Sequence, residues 1–187
     1  SHREFPSTNV PVLQTADTRE VLPELLKRFF GDPSDTMTLI GVTGTNGKTT
    51  TTYLLHSILE AEGESTGLIG TIEWRYGDRV RKGSTTTPSV EENFRCLQEW
   101  REEGATAAVM EVSSHGLDQG RVEGLSFSAA GFTNLTQDHL DYHEDMEDYF
   151  QSKSKLFDRS EVGIAFSDGT YGERLSRRRD VLGVGDE

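Results

Sequence analysis

Between Asp17 and Gly31 the chain reads DTREVLPELLKRFFG, and Val21, Leu22, Leu25, Leu26, Phe29 and Phe30 recur at the three- and four-residue spacing of a helix with one apolar face. Asp17 stands where a capping side chain belongs, and Gly31 where a helix stops. This helix precedes the first strong strand and has little of its own to pack on. With the connector GDPSDT at 31–36, it reads as the end of an earlier domain. From Thr38 onward, apolar runs alternate with amphipathic stretches. The pattern predicts strand 38–43, helix 48–61, strand 66–70, a hairpin turn across Tyr76-Gly77-Asp78, helix 89–103, strands 106–112 and 126–132, helix 145–157 and strand 162–166. Such alternation implies an α/β fold, a mostly parallel sheet flanked by helices on both faces. The closing VLGVGDE looks like the start of another strand, so the fold is expected to continue beyond this chain.

The turn between strand 38–43 and helix 48–61 carries the clearest chemistry. GVTGTNGKTT, residues 41–50, sets glycines at 41, 44 and 47 ahead of Lys48-Thr49-Thr50. Backbone N–H groups in a glycine-rich turn and at a helix start collect anions, and a lysine there neutralises terminal phosphates. Gly44, Thr45, Asn46, Gly47, Lys48, Thr49 and Thr50 are therefore the expected triphosphate cradle, with the Thr49 hydroxyl suited to Mg²⁺. A strict P-loop asks for glycine at 42, where Val42 stands, and an ordinary glycine turn is the alternative.

Composition narrows the partners. With 33% hydrophobic and 27% charged residues, and no apolar run near the roughly 18 residues of a membrane helix, the chain reads as globular, with no membrane partner. A formal charge of −13 argues against a duplex nucleic-acid binder, though a local phosphate site survives it. The arginines of LSRRRD at 175–180 read as solvated charge. The first residues show neither a basic leader nor an apolar h-region, and Cys96 is the only cysteine, so a cytoplasmic setting is expected.

Ligands of open parallel sheets gather beyond the carboxyl ends of the strands. Strand 106–112 ends at Glu111 before Ser113-Ser114-His115, and strand 126–132 runs into Thr133-Asn134 and the segment DHLDYH. A carboxylate beside a triphosphate is a natural Mg²⁺ ligand, which makes Glu111 a candidate; an exposed strand-end acid is the alternative. His139 and His143 lie four apart, but with no HExxH and no cysteine pair the expectation is one histidine assisting Mg²⁺ and one in structural hydrogen bonds. Asp138 and Asp141 read as caps or turn formers. On helix 145–157, Met146, Tyr149, Phe150, Leu156 and Phe157 mark the buried stripe; Lys153 falls on it and Lys155 does not. A buried ammonium is costly unless it is paired or neutralised. Either a salt bridge to Glu111 or an Asp, or capture of CO₂ by the neutral amine to give a carbamate ligand for Mg²⁺, would account for Lys153. Spacing does not choose between them.

Five segments in order, GVTGTNGKTT at 41–50, TTTP at 85–88, MEVSSHGLDQGRV at 110–122, FTNLTQDHLDYH at 132–143 and YFQSKSKLF at 149–157, resemble the Mur ligase family over nearly the whole chain. The resemblance is to members that add a diamino acid to the peptidoglycan stem peptide. It implies an ATP-dependent ligase: the D-Glu carboxylate of UDP-MurNAc-L-Ala-D-Glu attacks the γ-phosphate, and the amine of meso-diaminopimelate or L-lysine displaces phosphate from the acyl phosphate. By the same resemblance, Lys48 and Thr49 hold the β and γ phosphates and the first of two Mg²⁺, Glu111 adds a metal ligand, His139 serves the second Mg²⁺, and Lys153 is the carbamylated lysine. Thr86, Thr87, Ser113, Gln119 and Arg121 match positions that contact the UDP-MurNAc-dipeptide. Residues 1–35 would then be a remnant of an N-terminal UDP-binding domain with its linker, and 36–187 a central ATP-binding domain cut short at its C-terminal side. The C-terminal domain that closes over ATP and selects the amino acid is expected to be missing, and FSDGTYG at 166–172 matches its family stretch only loosely, so this chain alone is not expected to ligate. A folylpolyglutamate synthase-like ligase is an alternative that SSHGLDQGRV opposes; a nucleotide-binding module without catalysis is another.

Overall fold

The computed structural model describes residues 9, 12, 14–138 and 142–185. Helix α1 (Thr18–Phe30) opens it, capped by the Asp17 carboxylate on the Arg19 N–H and closed by Gly31 at φ 65°. There follow β1 (Thr38–Thr43), α2 (Lys48–Ala61), β2 (Thr66–Ile69), β3 (Glu73–Tyr76), β4 (Arg79–Lys82), α3 (Val90–Glu102), β5 (Ala107–Glu111), α4 (Ser114–Asp118), β6 (Phe127–Phe132), α5 (Met146–Ser154), β7 (Ser160–Phe166), α6 (Thr170–Ser176) and β8 (Val181–Val184). The strands form one sheet in the order β4-β3-β2-β5-β1-β6-β7-β8. All neighbours run parallel except the β2–β3 and β3–β4 pairs, which make the hairpin turning at Gly77, φ 55°. The expected α/β class is what the chain adopts.

Burial explains the strand compositions. β2 and β5 are buried along their whole length, and both read as continuous small or apolar runs, as strands covered on both faces do. β4, at the edge, is exposed throughout and carries Arg79, Arg81 and Lys82, charge that discourages pairing with another chain. The core is continuous from Trp74, Phe94 and Trp100 at the hairpin end, through Met110 and Phe127, to Phe157, Ala165 and Leu175 at the other.

Two expectations change in detail. Helix α1 does have a partner, since it packs on α3, and Arg101 of α3 donates to the carbonyls of Phe30, Gly31 and Asp32 at its C-terminus. Only part of its predicted stripe is used: Leu26 is buried, whereas Leu25 and Phe29 face outward. The helix expected over 145–157 ends at Ser154, and a 3₁₀ turn at Phe157–Arg159 finishes the connection and seats Phe157 in the core. The arginines after α6 are surface charge as expected, with Arg177 paired to Glu173 and Arg178 to Asp158 and Asp180. Among the described residues no helix is long and apolar enough to cross a membrane.

Candidate nucleotide and substrate site

β1, β2, β5 and β6 lie side by side, so the loops after them meet at one end of the sheet. The loop after β1 turns on Gly44 at φ 145° and enters α2 through Gly47 at φ 85°. Gly44 is required twice over: a Cβ there would sit 1.9 Å from Thr133 Oγ1, and the positive φ disfavours any L side chain. The loop is clamped by the segment after β6. Asn134 takes the Thr45 N–H on its carbonyl at 2.9 Å and the Asn46 N–H on its side-chain oxygen at 3.0 Å, while Thr133 Oγ1 donates to the Asn46 carbonyl at 2.6 Å. With those two amides engaged, the amides at the start of α2, from Lys48 to Thr50, are the ones left without a preceding helical acceptor, together with the positive end of the helix dipole.

Lys48 folds back over the loop and donates to the Gly44 and Thr45 carbonyls at 2.8 and 2.9 Å. Burial lowers its pKa, and the carboxylates of Glu111 and Asp138 oppose that. Glu111, at the carboxyl end of β5, is 1% exposed rather than the exposed acid that was its alternative. Its Oε2 accepts from Thr49 Oγ1 at 3.0 Å and Thr71 Oγ1 at 3.1 Å, and its Oε1 from the Thr71 N–H at 2.9 Å. The Thr49 hydroxyl and a buried carboxylate thus share one small site of hard oxygen donors, the donor type Mg²⁺ prefers.

Lys153, also 1% exposed, sits where the stripe on α5 put it. Its Nζ donates to the Gly44 carbonyl at 2.9 Å and lies 4.4 Å from the centre of the Tyr149 ring. The salt bridge offered as one explanation is not formed among the described residues; a carbonyl takes the amine instead. Burial, and then the nearby Lys48 ammonium, bring the Lys153 amine down to about 6 against the pull of Asp138, so near neutral pH it is largely the free base. Lys155 is exposed and paired with Asp118.

The five residues matched to the precursor lie on the neighbouring rim. The Thr86 hydroxyl pairs with Thr71 Oγ1 at 3.0 Å; Thr87 is buried, donates to the Glu111 carbonyl at 3.0 Å and accepts the Ser113 N–H at 2.9 Å. Ser113 caps α4, its Oγ accepting from the Gly116 N–H. Arg121 grips the Thr87 carbonyl at 2.8 Å and the Gln119 side chain at 2.6 and 3.1 Å. Gln119 and Arg121 open onto a cleft of about 640 Å³ that Arg19, Lys27 and Ser89 also line. His139 and Asp141 lie outside the described residues. His143 makes the structural contact expected of one histidine of the pair, Nδ1 to Asp148 Oδ2 at 3.0 Å. The sequence puts Thr133-Asn134 at the ligand end of β6 without giving their partners, and nothing in it points to Thr71 or Tyr149 as part of the site.

The Mur ligase middle domain model matches residues 42–184, most of the chain, with the phosphate loop, Glu111 and Lys153 inside the match. The chain belongs to the Mur ligase family. Its Mur ligase relatives include UDP-N-acetylmuramoyl-L-alanyl-D-glutamate--2,6-diaminopimelate ligase of Aquifex aeolicus, 53% identical over 171 residues, which are 90% of this chain and 36% of that protein. The ligase of the same name from Clostridium perfringens is 41% identical over 176 residues, 94% of this chain and again 36% of the relative. The chain therefore spans about a third of the length of these curated relatives. A solved structure of a UDP-N-acetylmuramoyl-L-alanyl-D-glutamate--2,6-diaminopimelate ligase superposes at a TM-score of 0.78 with 29% identity, over 89% of this chain and 36% of that one. The MurF ligase of Thermotoga maritima in complex with ADP shares the fold at a TM-score of 0.67 and 20% identity, over 97% of this chain and 40% of that one.

Proposed function

We propose that this Mur ligase chain is the ATP-binding part of a cytoplasmic enzyme that joins a diamino acid to UDP-MurNAc-L-Ala-D-Glu. The observation that carries the reading is the convergence of Lys48 and Lys153 on one carbonyl, that of Gly44, with donor distances of 2.8 and 2.9 Å. The Lys48 ammonium suits a reaction that gathers negative charge on that loop, and the buried, uncharged Lys153 amine beside it is open to CO₂. Lys48 swings from the loop carbonyls to the β and γ phosphates, and the α2 amides from Lys48 to Thr50 take the remaining oxygens. Thr86, Ser113, Gln119 and Arg121 hold the muramoyl-dipeptide on the adjoining rim, with buried Thr87 fixing Ser113 beneath them and Arg121 presenting its planar fork to a carboxylate or phosphate. In this reading the D-Glu carboxylate attacks the γ-phosphate with ADP as the leaving group, and the incoming amine then displaces inorganic phosphate from the acyl phosphate to form the amide.

The residues present fit Mg²⁺: Glu111 and Thr49 offer oxygens at 3.0 Å from each other, and the Lys153 amine is buried and largely uncharged. When bound, Mg²⁺ offsets the charge that develops on the transferring phosphoryl group. Thr49 and Glu111 are the proposed ligands of the first of two Mg²⁺ and His139 of the second, with carbamylated Lys153 as a further oxygen ligand. Partners are the precursor, the diamino acid and the further domains that the length of the relatives implies.

The test is phosphate release and product mass with ATP, UDP-MurNAc-L-Ala-D-Glu and either meso-diaminopimelate or L-lysine. It is run on this chain and on a version extended to the length of the relatives. Ligation by the extended version alone is the expected result; ligation by neither overturns the reading.

A further inference from the structure

Helix α5 touches the phosphate loop at two successive residues through two side chains one helical turn apart. Lys153 reaches the Gly44 carbonyl, and Tyr149 shares a hydrogen bond with the Thr45 hydroxyl at 3.3 Å. The two side chains also meet, the lysine Nζ standing 4.4 Å from the centre of the tyrosine ring. Tyr149 has no solvent exposure and is held from behind: the His143 ring tilts against it at 4.9 Å, and His143 is itself buried and fixed by Asp148. Thr45 Oγ1 in turn accepts the Thr136 N–H at 3.0 Å and donates to the Thr136 carbonyl at 3.2 Å, so the Tyr149 contact is a third one on that hydroxyl and the one that ties it to α5.

We propose that Tyr149 is a positioning residue that sets the distance between the phosphate loop and the Lys153 amine, with its hydroxyl fixing Thr45 and its ring, braced by His143, seating the amine. The proposal rests on reading the loop as a nucleotide site. A tyrosine that only filled the core would need its ring and not its hydroxyl. A positioning tyrosine needs both, and each half has its own consequence: the hydroxyl for the loop, the ring for the amine.

The experiment uses this chain with Tyr149→Phe and Tyr149→Leu. Calorimetry reads Mg·ADP affinity, and mass spectrometry of the Lys153 peptide reads the rate at which cyanate modifies the free amine. Loss of one hydrogen bond to the loop is expected to weaken Mg·ADP about three- to tenfold in Tyr149→Phe, with little change in melting temperature and in the cyanate rate. Tyr149→Leu is expected to change the cyanate rate at Lys153 several-fold, while exposed Lys155 in the same sample reacts as in the parent. Unchanged ADP affinity in Tyr149→Phe, or an unchanged Lys153 rate in Tyr149→Leu, overturns the proposal. If the parent chain itself fails to bind Mg·ADP, the nucleotide reading and the loop half of the proposal fall together, and the cyanate rates still decide the amine half. Should Tyr149→Leu fail to fold, Tyr149→Phe alone decides, and parent-like ADP affinity in it refutes.

Discussion

Replacing Lys153 with methionine should make this chain more stable at neutral pH, although it deletes a side chain at the centre of the site. The amine is 1% exposed and its pKa falls from 10.5 to about 6. Below about pH 6 the folded and unfolded chains both carry the proton, and the penalty of burying the ammonium is at its full and constant size. Between about 6 and 10.5 only the unfolded chain binds the proton, so the stability of the parent climbs with pH across that window. At about 1.4 kcal/mol per unit, the cost still standing is up to ~5 kcal/mol at pH 7 and ~2 kcal/mol at pH 9. Losing the bond to the Gly44 carbonyl gives back about 1 kcal/mol. Urea unfolding followed by circular dichroism in CO₂-free buffer should therefore place Lys153→Met above the parent by ~2–4 kcal/mol near neutrality, with the gap closing by about 1.4 kcal/mol per pH unit on going alkaline. Bicarbonate should then stabilise the parent and leave the variant unmoved, because only a neutral amine can take up CO₂. Parallel stability curves for the two proteins, or a variant less stable than the parent at neutral pH, would refute the reasoning.

Other substitutions probe the same construction. Gly44→Ala must adopt φ 145° with its Cβ 1.9 Å from Thr133 Oγ1, and a cost of ~3 kcal/mol with loss of nucleotide binding is expected; Gly77→Ala, at φ 55° in open space, should cost about 1 kcal/mol, and melting temperatures of the pair give the comparison. Thr49→Val removes the hydroxyl beside Glu111 and should weaken ADP about tenfold in Mg²⁺ but not in EDTA; equal losses under both conditions would argue against a metal at this hydroxyl. The Cys96 thiol is pushed up to about 12, first of all by burial, so iodoacetamide near pH 8 should leave the folded chain unmodified by intact mass and alkylate it once in urea.

What the sequence disclosed and what it hid divide along a physical line. Periodicity reports how a residue is disposed within its own element, so the Lys153 stripe, the β1 and α2 boundaries and the Asp17 and Gly31 caps were all legible. Periodicity carries nothing about which distant element lies opposite. Tyr149 was read as one apolar position among several, yet its hydroxyl meets a threonine 104 residues earlier; the Asn134 clamp reaches back 88 residues to Asn46. Helix α1 showed an apolar face with no partner in view, because α3 and the Arg101 cap lie some 70 residues on. The departure from the strict phosphate-loop spacing has a similar cause. Val42 is still inside β1, paired with Glu111 of β5 and Gly131 of β6 and wholly buried, so the turn begins only at Gly44 and a glycine at 42 has no task to perform. Gly41 answers a different need: a Cβ there would stand 2.9 Å from the Phe127 ring, so it is core packing and not phosphate that excludes a side chain at that position. The glycine pattern that looks like one motif is thus two constraints laid end to end, a strand pressed against Phe127 and Leu156, and a turn pressed against Thr133. Only the second should respond to nucleotide.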